Sequence, residues 1–296
     1  YNAIVQNLAP IAADNYKQTR ITDSVALQHM NRILELALSK EKTTEALTEL
    51  FDELGSEVRD ADIIRWYGTD ANYYYLPEAL CVPIIKTLLE EKIETEPAEV
   101  INRIEELMLK HSENSMMTAV MDYAVIVARL YEKALTLGSL TLNTADEYVM
   151  RYESDYCFID QYYRLANETY FGIDPTCELF DAVQKVKRCL DQNYSKLCNR
   201  INLEWTRCLK ETGGIGEVHL LRQQNFYDER IKPIQKKVAV IVSDALRYEV
   251  AKELIGELAR SKHIASLKPA IAMLPSETKY CKPSLLPHRE LKLYGK

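Results

Sequence analysis

Apolar positions recur every three or four residues through most of the chain, the period of a helix with one face turned inward. Val25, Met30, Ile33, Leu34 and Ala37 form one such stripe. Val120, Ala124, Val127, Tyr131 and Ala134 form another, which runs out near Gly138, a residue suited to a helix C-terminus. Residues 98–110 predict a further helix, with Pro97 in its first turn, where a missing N–H is harmless. The most regular segment opens at Asp174-Pro175 and closes at Gly213-Gly214. Between them Leu179, Val183, Val186, Leu190, Tyr194, Leu197, Ile201, Trp205 and Leu209 follow at steps of three or four, predicting one long helix with a continuous apolar seam. Such a seam ordinarily closes the local core.

The pattern changes after residue 215. Gly213, Gly214 and Gly216 mark a break, Pro233 a second, and five of the ten prolines fall between residues 233 and 287. Lys237 to Val242 is a short β-branched apolar run, which predicts a strand buried on both faces of a parallel sheet. It ends in Ser243-Asp244, and helical spacing resumes from Tyr248 to Arg260 through Val250, Leu254 and Leu258. A second strand is expected from Ala265 to Met273, leading into Leu274-Pro275-Ser276-Glu277-Thr278. The expected fold is therefore a mainly α-helical N-terminal region, residues 1–235, followed by the start of an α/β domain with a parallel sheet, residues 236–296.

Composition narrows the class. With 47% hydrophobic and 27% charged residues, disordered, collagen-like and disulfide-scaffold classes are excluded. No apolar run approaches the ~18–20 residues that span a bilayer, and YNAIVQNLAP lacks the basic-then-apolar order of a secretory signal, so a cytoplasmic protein without membrane contact is expected. The seven cysteines include no C-x-x-C pair, and reduced thiols packed as small apolar groups are expected. The net charge of −7 is uneven: residues 236–296 carry 12 Lys and Arg against 6 Asp and Glu, whereas residues 1–235 carry 25 against 38. A basic last segment suits an anionic ligand. The 19 tyrosines include Tyr73-Tyr74-Tyr75, Tyr162-Tyr163 and the series Tyr148, Tyr152, Tyr156. Asp146, Glu147, Glu153, Asp155 and Asp160 surround that series, which favours packing between helices, hydroxyls at the surface, over the stacking of nucleic-acid bases. His29, His111, His219 and His263 have no metal-like spacing.

Chemistry concentrates where strands hand over to polar residues. Asp244 and Thr278 each follow an expected strand, at the carboxyl edge where open α/β sheets bind ligands. If the two strands are parallel neighbours, the two side chains lie together despite 34 intervening positions. A carboxylate there is a hard oxygen ligand for a divalent cation, and a hydroxyl on the same cation becomes a nucleophile. The plainer alternatives are a helix N-cap for Asp244 and a turn residue for Thr278. Arg247 and Lys279 are candidate phosphate contacts, Arg247 being equally suited to pairing with Glu249 or Glu253. Ser276 is the nearest rival hydroxyl, and His288 reads as a loop residue.

Two of these segments, VAVIVSDALRYEVAKEL and AMLPSETKYCKPSLLPH, closely resemble the PglZ family in the type A form of BREX phage-defence systems, whose catalytic domain belongs to the alkaline phosphatase superfamily. The upstream QQNFYDERIKP is also similar, and the resemblance covers residues 222–290. It implies a metal-dependent phosphatase or phosphodiesterase using two divalent ions, usually zinc. By position, Asp244 matches the first metal-binding aspartate and Thr278 the nucleophile that also ligates metal, with Arg247, Ser276 and Lys279 as lesser substrate contacts. The chain departs from the family where Tyr280-Cys281-Lys282-Pro283 replace the usual small residues, and Pro283 is expected in a first helical turn but no deeper. The remaining metal ligands of the superfamily come from later strands. A chain running from Tyr1 to LKLYGK reads as a piece of a longer protein, with an incomplete two-metal site and no phosphatase activity of its own. The resemblance implies other BREX proteins and a phosphate-containing substrate as partners. A second expectation is a non-catalytic scaffold that docks through the helical region. A third, nucleic-acid binding, draws on the basic segment and is disfavoured by the acidic helical region.

Overall fold

The structure is a computed structural model that describes residues 78–110 and 115–292, with Val25, His29, Arg32, Ile33 and Leu36 as isolated helical positions. The elements run α1 (Glu78–Thr87), continued by a π turn (Leu88–Lys92), then α2 (Pro97–Lys110), α3 (Ser115–Leu135) and α4 (Ala145–Arg151). A second π turn (Tyr152–Tyr156) leads into α5 (Cys157–Gly172), followed by α6 (Phe180–Thr212), β1 (Leu221–Arg222), α7 (Tyr248–Arg260), β2 (Ala270–Ile271) and α8 (Thr278–Ser284). β1 and β2 pair in parallel, Leu221 opposite Ala270 and Arg222 opposite Ile271. A helical region thus precedes the start of an α/β domain. Residues 1–138 with 162–197 form one compact unit, and residues 139–161 with 198–296 form another.

The first unit holds most of the buried apolar surface. Pro97 opens α2, and Val100, Ile104 and Leu107 on its inner face are fully buried. α2 packs along α3, whose stripe Val120, Ala124 and Val127 is equally buried, with Tyr131 close behind at 8% exposure. Removing side chains of this size from water contributes about 1.5–3 kcal/mol each. In this unit Leu179, Val183, Val186 and Leu190 are also buried, and Tyr163 stacks on Tyr194 with ring centroids 3.7 Å apart. Of the stripe expected over residues 25–37, Val25 and Ile33 are helical but more than half exposed, so they do not form a buried face. Met30, Leu34 and Ala37 lie outside the described residues, as do Tyr73, Tyr74, Tyr75 and His111.

The long helix starts later than its composition suggests. Asp174 Oδ1 accepts hydrogen bonds from the Thr176 amide and hydroxyl, at 2.8 and 2.7 Å, so it closes a local turn and α6 begins only at Phe180. The other end follows the expectation. Gly213 and Gly214 take φ values of 97° and 98°, and the Gly214 amide reaches the Leu209 carbonyl at 2.7 Å, a helix stop that a side-chain-bearing residue resists. The seam is not buried throughout, since Leu197, Ile201, Trp205 and Leu209 keep intermediate exposure.

In the second unit Thr144 caps α4, its hydroxyl accepting from the Glu147 amide at 3.2 Å, while Glu147 Oε2 accepts from the Asn143 amide at 3.0 Å. The tyrosine series does not carry its hydroxyls at the surface. Tyr148 and Tyr156 are each 4% exposed. All seven cysteines are free thiols, with Cys81, Cys157 and Cys208 buried and Cys189 exposed.

Two strand expectations change. Residues 237–242 form no strand, and Val238, Val240, Ile241 and Val242 are 43–91% exposed. A strand needs a neighbour for its amides and carbonyls, and no described strand lies alongside this run. Within 265–273 only Ala270–Ile271 pairs, and its partner is Leu221–Arg222, a dipeptide with too short a pattern to announce itself. Beyond Val218, the fully buried described residues are Glu249 and Ser284, both polar. Among the described residues no helix is long and apolar enough to cross a membrane.

Candidate functional site

Asp244 sits on a sharp turn ahead of α7. Ala245 takes φ 53°, a left-handed conformation that costs a β-carbon-bearing residue about 1–2 kcal/mol, and its carbonyl accepts from the Arg247 amide at 2.9 Å. Arg247 occupies the cap position of α7, so Asp244 is not the helix N-cap and its carboxylate is turned to other partners. Thr278 is the first residue of α8, after Glu277 in extended conformation (φ −96°, ψ 142°). The Thr278 hydroxyl donates to Asp244 Oδ1 at 3.1 Å. Lys282, one turn further along α8 and on the same face, brings Nζ to 3.2 Å from Asp244 Oδ2.

The loop that delivers Thr278 is clamped from outside. Gln223 Nε2 donates to the Cys281 carbonyl at 3.3 Å, and Gln223 Oε1 accepts from the Met273 amide at 3.0 Å. One amide side chain therefore ties the end of β2 to α8. The Ser284 hydroxyl, fully buried, donates to the Cys281 carbonyl at 2.7 Å and finishes the short helix. Pro283 is the sixth residue of α8 rather than part of its first turn, a correction explained by the helix ending one residue later, where little hydrogen bonding remains to be lost.

The Lys282 ammonium first, and the Thr278 hydroxyl second, hold the Asp244 carboxyl below its ordinary value of 3.8. This decides what Asp244 does. An alcohol is a far weaker acid than a carboxylic acid, and the more so beside a carboxylate stabilised in this way, so Asp244 orients the hydroxyl and does not remove its proton.

The other sequence candidates stand apart from this triplet. Arg247 pairs with Glu249 at 2.8 Å. Lys279 pairs with Glu277 at 2.9 Å and lies 4.7 Å over the Tyr280 ring. Ser276 is exposed, and no hydrogen bond joins it to Asp244 among the described residues. His288 Nδ1 is 2.7 Å from the Leu286 carbonyl, within its own loop. His219 Nδ1 is 2.8 Å from Asp146 Oδ2, and its backbone amide holds Asp146 low. Lys282 and Gln223 were not singled out from sequence. The four-residue step from Thr278 to Lys282 is a readable signal once α8 is known, whereas nothing around Gln223 advertises a clamp.

A carboxylate and an alcohol in contact offer two hard oxygen donors, which fits one side of a divalent cation. Among the described residues no group of three or more His, Cys, Asp or Glu side chains is placed to hold one. The pair thus fits part of a metal site, shared at present with the Lys282 ammonium.

Residues 226–296, which carry the Asp244 turn and the alcohol heading α8, match the family model described as the BREX system PglZ alkaline phosphatase-like domain. The likeness to the PglZ family is thus carried by the last quarter of the chain. The chain is 46% identical over 76 residues to the alkaline phosphatase-like protein BrxZ of Escherichia coli O9:H4 (strain HS), covering 24% of this chain and 9% of that protein. It is 29% identical over 174 residues to the alkaline phosphatase-like protein PglZ of Bacillus cereus (strain H3081.97), covering 55% of this chain and 20% of that protein. The matched stretches are thus a fifth or less of the relatives' own length. No solved structure matches the chain.

Proposed function

We propose that this chain supplies the nucleophile-bearing edge of a phosphoryl-transfer domain in a BREX defence protein, beginning as an α/β unit near Lys236. The observation that carries this reading is the Thr278 hydroxyl held 3.1 Å from Asp244 Oδ1 at the head of a helix. Thr278 Oγ1 forms a bond to phosphorus as the ester P–O bond breaks, and the proton released from the hydroxyl passes through solvent to the departing alkoxide. Water then cleaves the phosphothreonine. Asp244 fixes the hydroxyl's direction, and Lys282 offers a positive charge to the non-bridging oxygens. Asp244 and Thr278 would hold a divalent ion, zinc being the family's usual one; when bound, it lowers the pKa of the hydroxyl it touches. Arg247, Ser276 and Lys279 remain lesser candidates for substrate contact.

The test is hydrolysis of aryl phosphate mono- and diesters, with added zinc or manganese, by a protein of the relatives' full length carrying this sequence. Thr278→Ala and Asp244→Ala are each expected to abolish turnover; full activity in both variants refutes the assignment. The 296-residue chain alone is expected to show none. The alternative, a scaffold that docks other BREX proteins through the helical region, is supported by the partial exposure of the apolar seam beyond Tyr194.

A further inference from the structure

Both oxygens of the Asp244 carboxylate are already answered. Thr278 Oγ1 lies 3.1 Å from Oδ1 and the Lys282 ammonium 3.2 Å from Oδ2. A divalent ion would draw on the same carboxylate as a hard oxygen donor. An ammonium and such an ion cannot both sit against Oδ2 without repelling each other, and a lysine engaged by a carboxylate has less charge to offer a phosphate.

The neighbouring cations are committed elsewhere. Arg247 pairs with Glu249 at 2.8 Å and Lys279 with Glu277 at 2.9 Å, so Lys282 is the one cation paired with Asp244 among the described residues. That pair stands half in water, its lysine 51% and its aspartate 58% exposed. An ion pair so exposed is weak and screened, and a doubly charged ion can displace its lysine.

The backbone under Lys282 is fixed. The Cys281 carbonyl accepts from the Ser284 hydroxyl at 2.7 Å and from Gln223 Nε2 at 3.3 Å. Displacement therefore swings the flexible four-carbon side chain and leaves α8 in place. Because Lys282 shares a face of α8 with Thr278, a displaced ammonium stays beside the hydroxyl that meets phosphorus.

We propose that Lys282 is an exchangeable counter-ion: it holds Asp244 Oδ2 while no divalent ion is bound, gives up that oxygen to the ion, and turns its charge to the anion that enters beside Thr278. This role rests on Asp244 ligating metal, as in the function proposed above, and couples metal binding to anion binding through one side chain.

The experiment uses a protein of the relatives' full length carrying this sequence, with zinc titrated against a chromophoric chelator. Single and double positive charges ~4 Å apart in water repel by the equivalent of roughly thirtyfold in affinity, lowered by physiological salt to about tenfold. Lys282→Met and Lys282→Gln are accordingly expected to bind zinc roughly five- to tenfold more tightly than the parent, and Lys282→Arg to bind as the parent does. Lys279→Met removes an equal charge that does not touch Asp244, and is expected to stay within about twofold. The second measurement is binding of inorganic phosphate by equilibrium dialysis. Lys282→Met is expected to weaken it about fivefold in the zinc-loaded protein and to leave it unchanged in the metal-free protein, where Asp244 already holds the lysine. Unchanged or weaker zinc binding in Lys282→Met, an equal gain in Lys279→Met, or the same phosphate loss with and without zinc overturns the proposal. Asp244→Ala separates the two failures: zinc binding that ignores this substitution removes the metal reading and the exchange with it, whereas zinc binding that depends on Asp244 and ignores Lys282 overturns the exchange alone.

Discussion

The Thr278 hydroxyl lies 3.1 Å from Asp244 Oδ1 although 34 positions separate the two residues. Lys282 closes the other carboxylate oxygen, so one acidic group is shared by an alcohol and an ammonium that stand a helical turn apart. An exposed carboxylate with both oxygens engaged is held in place without being buried, which leaves it open to an incoming cation.

The Asp244 carboxyl is expected to titrate below 3.8, and Lys282→Met to raise its pKa more than Thr278→Val does, because the lysine is the leading cause of the shift. The sign follows from linkage: a depressed folded-state pKa contributes stability that is present above the unfolded value and is lost as pH falls through the folded one, here below pH 3.8. Carboxyl NMR titration of the two variants checks the order. Equal pKa values in both would remove Lys282 from the site.

Ala245 holds φ 53° on the turn that aims Asp244. Ala245→Gly is expected to stabilise by up to about 1 kcal/mol, while Ala245→Val destabilises by about 1–2 kcal/mol through its branched β-carbon. Urea unfolding midpoints measure both. A less stable glycine variant would show that the turn is not strained.

Gln223 joins the Met273 amide to the Cys281 carbonyl. Gln223→Leu removes both bonds with little change in size and is expected to cost about 1–3 kcal/mol. Faster hydrogen exchange at the Met273 amide in that variant is the local readout; unchanged protection would mean the loop is held by other contacts.

In the helical core, Leu190 is fully buried and Leu203, on the same helix, is 72% exposed. Leu190→Ala is expected to cost about 2–5 kcal/mol and Leu203→Ala to fall within about 0.5 kcal/mol of the parent. Thermal unfolding of the pair tests the burial contrast, and similar losses at both positions would contradict it.

Helices were the readable part of this chain. The boundaries of α7 follow from the Val250, Leu254 and Leu258 spacing, and α2 from Pro97 and the periodic residues after it, because a helix closes its hydrogen bonds within four residues. Asp174 shows the limit even there: its side chain found Thr176 before any helix began. Strands were less readable. The apolar run Val238 to Val242 has the composition of a buried strand and lies exposed, since its pattern specifies a preference and not a neighbour.

The sequence by itself determined the helical region, an acid and an alcohol each near the end of an apolar run, and the PglZ likeness of the last segment. Only the tertiary structure decided that β1 pairs with β2, that Gln223 braces the Thr278 loop and that Lys282 rather than Arg247 or Lys279 faces Asp244. The reason is physical: periodicity encodes contacts between residues one turn apart, while a hydrogen bond across 34 or 50 positions exists only once separate elements have been brought to the same place.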